Sequence, residues 1–552
     1  SKNSVTATDA PAIELGDKGT TLIIYGTDKS SLTVKSSDAA GIGSAFAKAC
    51  GSIAIYGGVI TATGGYQSAG IGSSRLGKCE NIDIFGGMVC ATGGKSGGAG
   101  IGSGAYASCG DIEISRAYVY AKGRQGGMGI GDGNIGRCGY IRIYDNVAEV
   151  IAVACDFDCS SSIASHYEAV KIRDGANVKD VVHVNLDQLT SDIILERHCL
   201  LSGTTNHKVT IKGVADVFME DAHVKNQLSC SGDITIRLEN GTCNSVECGD
   251  DDEPGIKVDM LCKLRIKGEA GQLSVKSKGT GIGGKSQDVG GDVTIESGEV
   301  NIVAEGEGCA GIGAGKAGAC NDIVISGGTI TVIGGEEAAA IGSGARSACG
   351  YIKIYGGKVI ANTGVKGAAI GTGSGSYCAD ITITGGIVNA TGGTYGAGIG
   401  GGADGLCGNI NISGGDVIAQ GGDGNDEQGG GVGIGGGYNC EKINISSGKI
   451  IAIGGIKGGA GIGSGSGANH ICGKISLTGG YIQALGHDGG AGIGSSNDNS
   501  SCGDIVIRNT VDEVYAIAKR GMNAQAIGAG ANGSTSGRIT IDEDANVVSD
   551  YE

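Results

Sequence analysis

The chain has 552 residues, 113 of them glycine and only 2 proline, with 20 cysteines, no tryptophan and a formal net charge of −17. That charge argues against nucleic acid, whose phosphates need clustered Lys and Arg, and against an anionic membrane surface. Glycine off the every-third-residue period excludes collagen, 40% hydrophobic residues at fixed spacing exclude simple disorder, and no apolar run approaches the roughly 18 residues of a membrane span.

Taken in chain order, a first strand signal, Leu32-Thr33-Val34-Lys35-Ser36, leads into a series of Gly/Ala-Ile-Gly markers at Ile42, Ile71, Ile101 and Ile130. This stretch closes with Ala148 to Ala154 (AEVIAVA) and Val170 to Val178 (VKIRDGANV). Residues 150–270 then change character: glycine thins, charges become denser, and His166, His183, His198, His207 and His223 fall here. A second opening, Leu273-Ser274-Val275-Lys276-Ser277, precedes markers at Ile282, Ile312, Ile341, Ile370, Ile399, Ile434, Ile462, Ile493 and Ile527. It closes with Asp512 to Ala518 (DEVYAIA) and Ile539 to Val547 (ITIDEDANV). The matched openings and endings predict two tandem cassettes, 1–183 and 184–552, the second with its own opening segment 184–272.

The unit is clearest from Cys320 to Cys349. Two short apolar alternations, Ile323/Ile325 and Ile330/Val332, are separated by Gly327-Gly328, and a second pair, Gly334-Gly335, leads to a third element at Ile341. Alternation is the period of a strand with one buried face. Three short strands and three tight corners in about 29 residues describe one coil of an all-β parallel β-helix, a β-solenoid in which each repeat buries its apolar edge only by stacking on its neighbours. Longer steps, at Asp423–Gln428 and near the C-terminus, read as loop insertions that leave the coil intact.

One cysteine per coil precedes a strand: Cys50, Cys79, Cys109 and Cys138, then Cys320, Cys349, Cys378, Cys407, Cys440, Cys472 and Cys502. Coils stacked about 4.8 Å apart make this a ladder along one corner. The spacing is slightly long for the roughly 3.8 Å Cβ separation of a disulfide, so the row reads as buried free thiols filling apolar space. Disulfides are better placed off the ladder, at Cys155/Cys159 or among Cys243, Cys248 and Cys262.

Two acidic loops, Asp250-Asp251-Asp252-Glu253 and Asp423 with Asp426 and Glu427, offer several hard oxygens within a few residues. They suit Ca²⁺, set against the simpler reading of solvated surface loops; no other cofactor is expected. For glycans, Tyr56, Phe85, Tyr144 and Tyr355 share one outward position after the first strand of their coils, a row broken elsewhere by Ser326, Thr384, Ser413 and Ser446. Outward carboxylates at Asp83, Glu113 and Asp322 form no distinguished pair of the kind glycoside hydrolysis needs, and phosphate-binding glycine motifs are missing. An enzyme is not expected.

The runs 184–195 (VNLDQLTSDIIL) and 200–213 (LLSGTTNHKVTIKG), followed by a Leu-x-Val-x-Ser strand and Gly-Ala-Gly-Ile-Gly coils, resemble the repetitive Gly-rich β-helical cassettes of secreted surface proteins from anaerobic Firmicutes. The resemblance implies a β-helix of adhesive or carbohydrate-binding-like type, at the cell surface or outside the cell, and supplies no catalytic residues. Two readings stand: a non-catalytic stalk, adhesin or filament segment, and a carbohydrate-binding module with shallow multivalent glycan sites. Because Ser1 falls inside a cassette, the expected partners are further cassettes or copies of the chain stacked head to tail, with no nucleic acid.

Overall fold

Alternation decides which side chains enter the coil. The computed structural model describes residues 2–154, 161–165, 170–425 and 429–549; Ser1, Cys155, Cys159, His166, Asp426 and Glu427 lie outside them. Between Cys320 and Cys349, Ile323, Ile325, Ile330 and Val332 point inward and are buried, while Val324 and Thr331 between them are only half-buried. Each such inward Ile gains about 1.5–3 kcal/mol from leaving water. A lone coil cannot close over that apolar interior, so it stacks.

The result is an all-β parallel solenoid of about 18 turns with a spacing near 29 residues. Strand Ile323–Ile325 pairs in parallel with Ile352–Ile354, which pairs with Ile381–Ile383, isoleucine on isoleucine. The neighbouring strand Thr329–Ile333 pairs with Lys358–Asn362 in the same way. Beside the three anticipated strands many coils carry a fourth, two-residue rung at the cysteine, such as Ala348–Cys349. The only helical element among the described residues is the 3-10 turn Leu186–Gln188, and no helix is long and apolar enough to cross a membrane.

The chain forms two compact units, Ser1–Asn185 with Arg197–Leu201, and Leu186–Glu196 with Ser202–Glu552. In the first, Ile42, Ile71, Ile101, Ile130 and Ile163 stack in register around a core running from Leu15 to Ile163. The second begins on short coils. Ile193 pairs with Val209 sixteen residues on, Val209 with Leu228 nineteen on, and Leu228 with Ile256 twenty-eight on, after which the full-length coil is kept. This taper replaces the uniform coil that the periodicity of the later repeats suggests. The short coils have no Gly-Ile-Gly marker to set their length.

The marker itself has a strict geometric role. The glycine after its isoleucine lies at φ between +122° and +148° in coil after coil, from Gly43 to Gly528, a region open to glycine and strained for other residues. A Cβ on Gly371 would also fall well inside 3.0 Å of the Gly400 carbonyl oxygen in the next coil. Gly371→Ala should therefore cost on the order of 3 kcal/mol or more in urea-unfolding free energy, from backbone strain and overlap together. Gly249, which has open space around it and an ordinary φ, is the control: Gly249→Ala should change stability by less than about 0.5 kcal/mol.

Candidate functional site

In a parallel stack, residues at the same offset in successive coils meet. Tyr25, Tyr56 and Phe85 each follow the first strand of their coil, and that register brings them together on the outside of the first unit. The rings of Tyr25 and Tyr56 stack at 5.1 Å with 15° between planes, and Phe85 follows Tyr56 at 5.4 Å. Tyr25 is 75% exposed, so the row opens to solvent. Ser115 interrupts it at the next coil, and Tyr144 stands one coil further on.

Polar groups on the same outward face flank the row. Asp83, Glu113 and Arg142 are register partners on consecutive coils. Arg142 donates to Asp111 Oδ2 at 3.1 Å and to Glu113 Oε1 at 2.9 Å, and the Tyr144 hydroxyl donates to Glu113 Oε2 at 3.4 Å. Burial, then the charges of Glu113 and Asp111, push the Asp83 carboxyl above its ordinary value. These acids thus do form a cluster, which the sequence did not single out, because Asp111 enters from the turn before its strand. The surface is open rather than cleft-like, and Glu113 is held by two partners. It can offer hydrogen bonds to hydroxyls beside an aromatic platform.

Tyr355 belongs to the second unit. It sits between Ser326 and Thr384 and is not part of an aromatic row. Its surroundings nevertheless repeat part of the first face. Lys353 donates to Asp322 Oδ2 at 3.0 Å and lies 4.8 Å from the Tyr351 ring, and Asp322 Oδ1 accepts the Tyr351 amide at 2.9 Å. Asp111, Arg142 and Tyr140 are arranged likewise: Arg142 lies 5.1 Å from the Tyr140 ring and Asp111 Oδ1 accepts the Tyr140 amide at 2.9 Å. A second stacked pair, Tyr481 and Tyr515 at 5.3 Å and 5°, escaped the sequence reading, as did Tyr25. Both were legible as aromatics one coil apart, but only the register shows that they touch.

Described carboxylates of the acidic loops meet donors from other coils. Among the described residues no three or more His, Cys, Asp or Glu side chains converge where a metal ion could sit. Glu253 pairs with Lys285 and accepts from Gln227 at 2.8 Å, Asp251 faces Lys278 at 3.2 Å, and Asp252 accepts from Ser286 at 3.0 Å. The carboxylates of residues 250–253 are thus drawn apart toward cations and donors of neighbouring coils, and no partner for Asp250 enters that set. Asp423 accepts the Ile456 amide at 3.0 Å.

The cysteines from Cys320 to Cys502 pair rung on rung in one unbroken register and are buried. All are free thiols, and the Cys320 Sγ lies 3.1 Å from Cys349 Sγ. Cys50, Cys79 and Cys109 form the corresponding row of the first unit. Off the ladder, Cys243, Cys248 and Cys262 are free as well, against the disulfides expected there. Cys243 and Cys248 end a single strand, five positions apart, so they point to opposite faces, one exposed and one buried.

The model of a β-helix repeat family matches six stretches of the chain: residues 53–75, 293–316, 323–345, 352–374, 381–403 and 443–466. Each covers the two main strands of a coil and its Ile-Gly corner. No curated protein and no solved structure matches the chain.

Two outcomes follow for the thiols. In the folded protein an alkylating reagent should modify exposed Cys243 quickly and leave Cys320 to Cys502 untouched until denaturant is added, as read by peptide mass mapping; Cys378→Ser should cost roughly 1–3 kcal/mol for a hydroxyl buried without a partner. Burial also holds the Cys502 and Cys199 thiols at about 12, against an ordinary 9.0. The folded state therefore keeps protons that the unfolded chain releases. Stability should be full below pH 9 and fall as the pH rises from 9 toward 12, measured as a declining urea midpoint.

Proposed function

We propose that the chain is a non-catalytic, extracellular structural β-solenoid, an adhesive stalk whose contact surface is the open face of Tyr25, Tyr56 and Phe85. The observation that carries this reading is that stacked, solvent-facing row of three rings beside Asp83, Glu113 and Arg142. Every coil otherwise spends its residues on stacking, which suits a scaffold. Secretion is supported by the resemblance of residues 184–213 to surface-protein cassettes.

A second reading, a carbohydrate-binding module with shallow repeated sites, is favoured by the recurrence of the Asp–cation–Tyr arrangement at Asp111/Arg142/Tyr140 and Asp322/Lys353/Tyr351. Repeated weak contacts gain by avidity. A glycan array separates the two. Binding of oligosaccharides that Tyr56→Ala weakens about tenfold, the scale of one lost aromatic contact, would establish the glycan face. Silence on the array, with protein-coated beads still adhering to cell surfaces, would leave the stalk. Release of new reducing ends from polysaccharide would overturn the non-catalytic reading.

A further inference from the structure

Up to Cys407, the turns that link each Ile-Gly rung to its cysteine keep one length, and beyond it they do not. Cys407 follows Ile399 by eight positions, as Cys378 follows Ile370, but Cys440 follows Ile434 by only six, and Cys472 then follows Ile462 by ten. A turn shortened by two residues leaves a gap between its neighbours. The lengthened turn above it, residues 465–470, carries His470 to that gap. The structure shows a cavity of ≈ 280 Å³ there, lined among others by Tyr395, Asp404, Ser466, His470 and Asp498.

Its wall gathers unpaired polar atoms. Ser466 is only 8% exposed, yet its Oγ has no hydrogen-bond partner, and neither does His470 Nδ1. Immediately behind Ser466, Asn497 Oδ1 is buried without a partner too. A buried polar atom left unpaired costs about 1–3 kcal/mol, so a group of them marks a site that a ligand completes. Glycines make the room: Gly429 and Gly458 face the Ser466 hydroxyl, and Gly467 faces the His470 ring. The imidazole is also braced edge-on by Tyr438 at 5.8 Å.

Charge narrows the ligand. The charged side chains lining the cavity are carboxylates, Asp404 and Asp498, with no Lys or Arg among the described lining residues. An anion is therefore disfavoured. A purely apolar molecule would leave Ser466 and His470 unpaired. A transition metal would find a single imidazole, and a hard cation would not choose a nitrogen ligand. Burial lowers the His470 pKa, opposed in part by Asp404, so the ring is neutral at physiological pH and Nδ1 can accept a proton donor.

We propose that this cavity binds the protonated primary amine of a small polar molecule no larger than one amino-sugar ring, with Ser466 Oγ and His470 Nδ1 accepting its N–H groups and Asp404 and Asp498 balancing its charge. An ammonium group has three donors and no acceptor, which matches acceptor atoms set beside carboxylates. The inference is independent of the aromatic face, which lies in the other unit.

Isothermal titration of the full chain with glucosamine, N-acetylglucosamine and glucose, below the pKa of the amine, tests it. Saturable binding of glucosamine alone is expected. Ser466→Ala should weaken it by about tenfold or more, the loss of one charge-assisted hydrogen bond. Asp404→Asn, a change at an exposed turn position with little bearing on folding, should weaken it as well. Equal binding of glucose and glucosamine would overturn the ammonium assignment in favour of a neutral polyol. Absence of saturable glucosamine binding, or full affinity in both variants with unchanged melting temperature, would overturn the site.

Discussion

The structure depends on one close approach. At the glycine after each marker isoleucine, the backbone of one coil passes so near the carbonyl of the next that no Cβ fits, from Gly43 against Gly72 to Gly494 against Gly528. The same residues hold a φ that side chains resist. The isoleucine before that glycine is turned fully inward, as at Ile341 and Ile370. Because the contact recurs at every coil, it fixes where each turn of the solenoid begins, and with it the phase of everything between.

Once phase is fixed, like lies on like. Isoleucine meets isoleucine and cysteine meets cysteine without any device for recognising a partner. The same rule governs the outside, where its consequence is electrostatic. Identical charges stacked one coil apart repel, as Glu113 does Asp83, and several acids are answered by cations from the neighbouring coil: Arg265 with Glu296 at 2.7 Å, Lys276 with Glu305 at 2.9 Å, Lys366 with Glu337 at 3.0 Å. These pairs are partly solvated and each adds little stability. Aromatic residues carry no such penalty, so Tyr25, Tyr56 and Phe85 can occupy one offset and form a surface.

Concavity needs the opposite, a failure of repetition. A regular stack covers each turn with the next and leaves only shallow relief. Where the turn before Cys440 loses two residues, coverage lapses, and His470 and Ser466 border the resulting hollow with unpaired polar atoms. The short coils that begin at Ile193 depart from the repeat in contour rather than in register.

By itself the sequence determined the coil: the alternation at Ile323/Ile325 and Ile330/Val332, the glycine corners and the cysteine per repeat each report a local requirement that one coil already contains. It also placed Tyr56, Phe85 and Tyr144 on the outside, because outward positions follow from the same alternation. The tertiary structure alone decided which of them meet, since Tyr25 joins Tyr56 across thirty-one positions while Tyr355 stands between Ser326 and Thr384. It alone drew the acids at 250–253 apart, because Lys278 and Lys285 reach them from neighbouring coils. The pocket at His470 was written in the spacing from Ile434 to Cys440, but a shortened turn becomes a cavity only when the turns on either side are set in place above and below it.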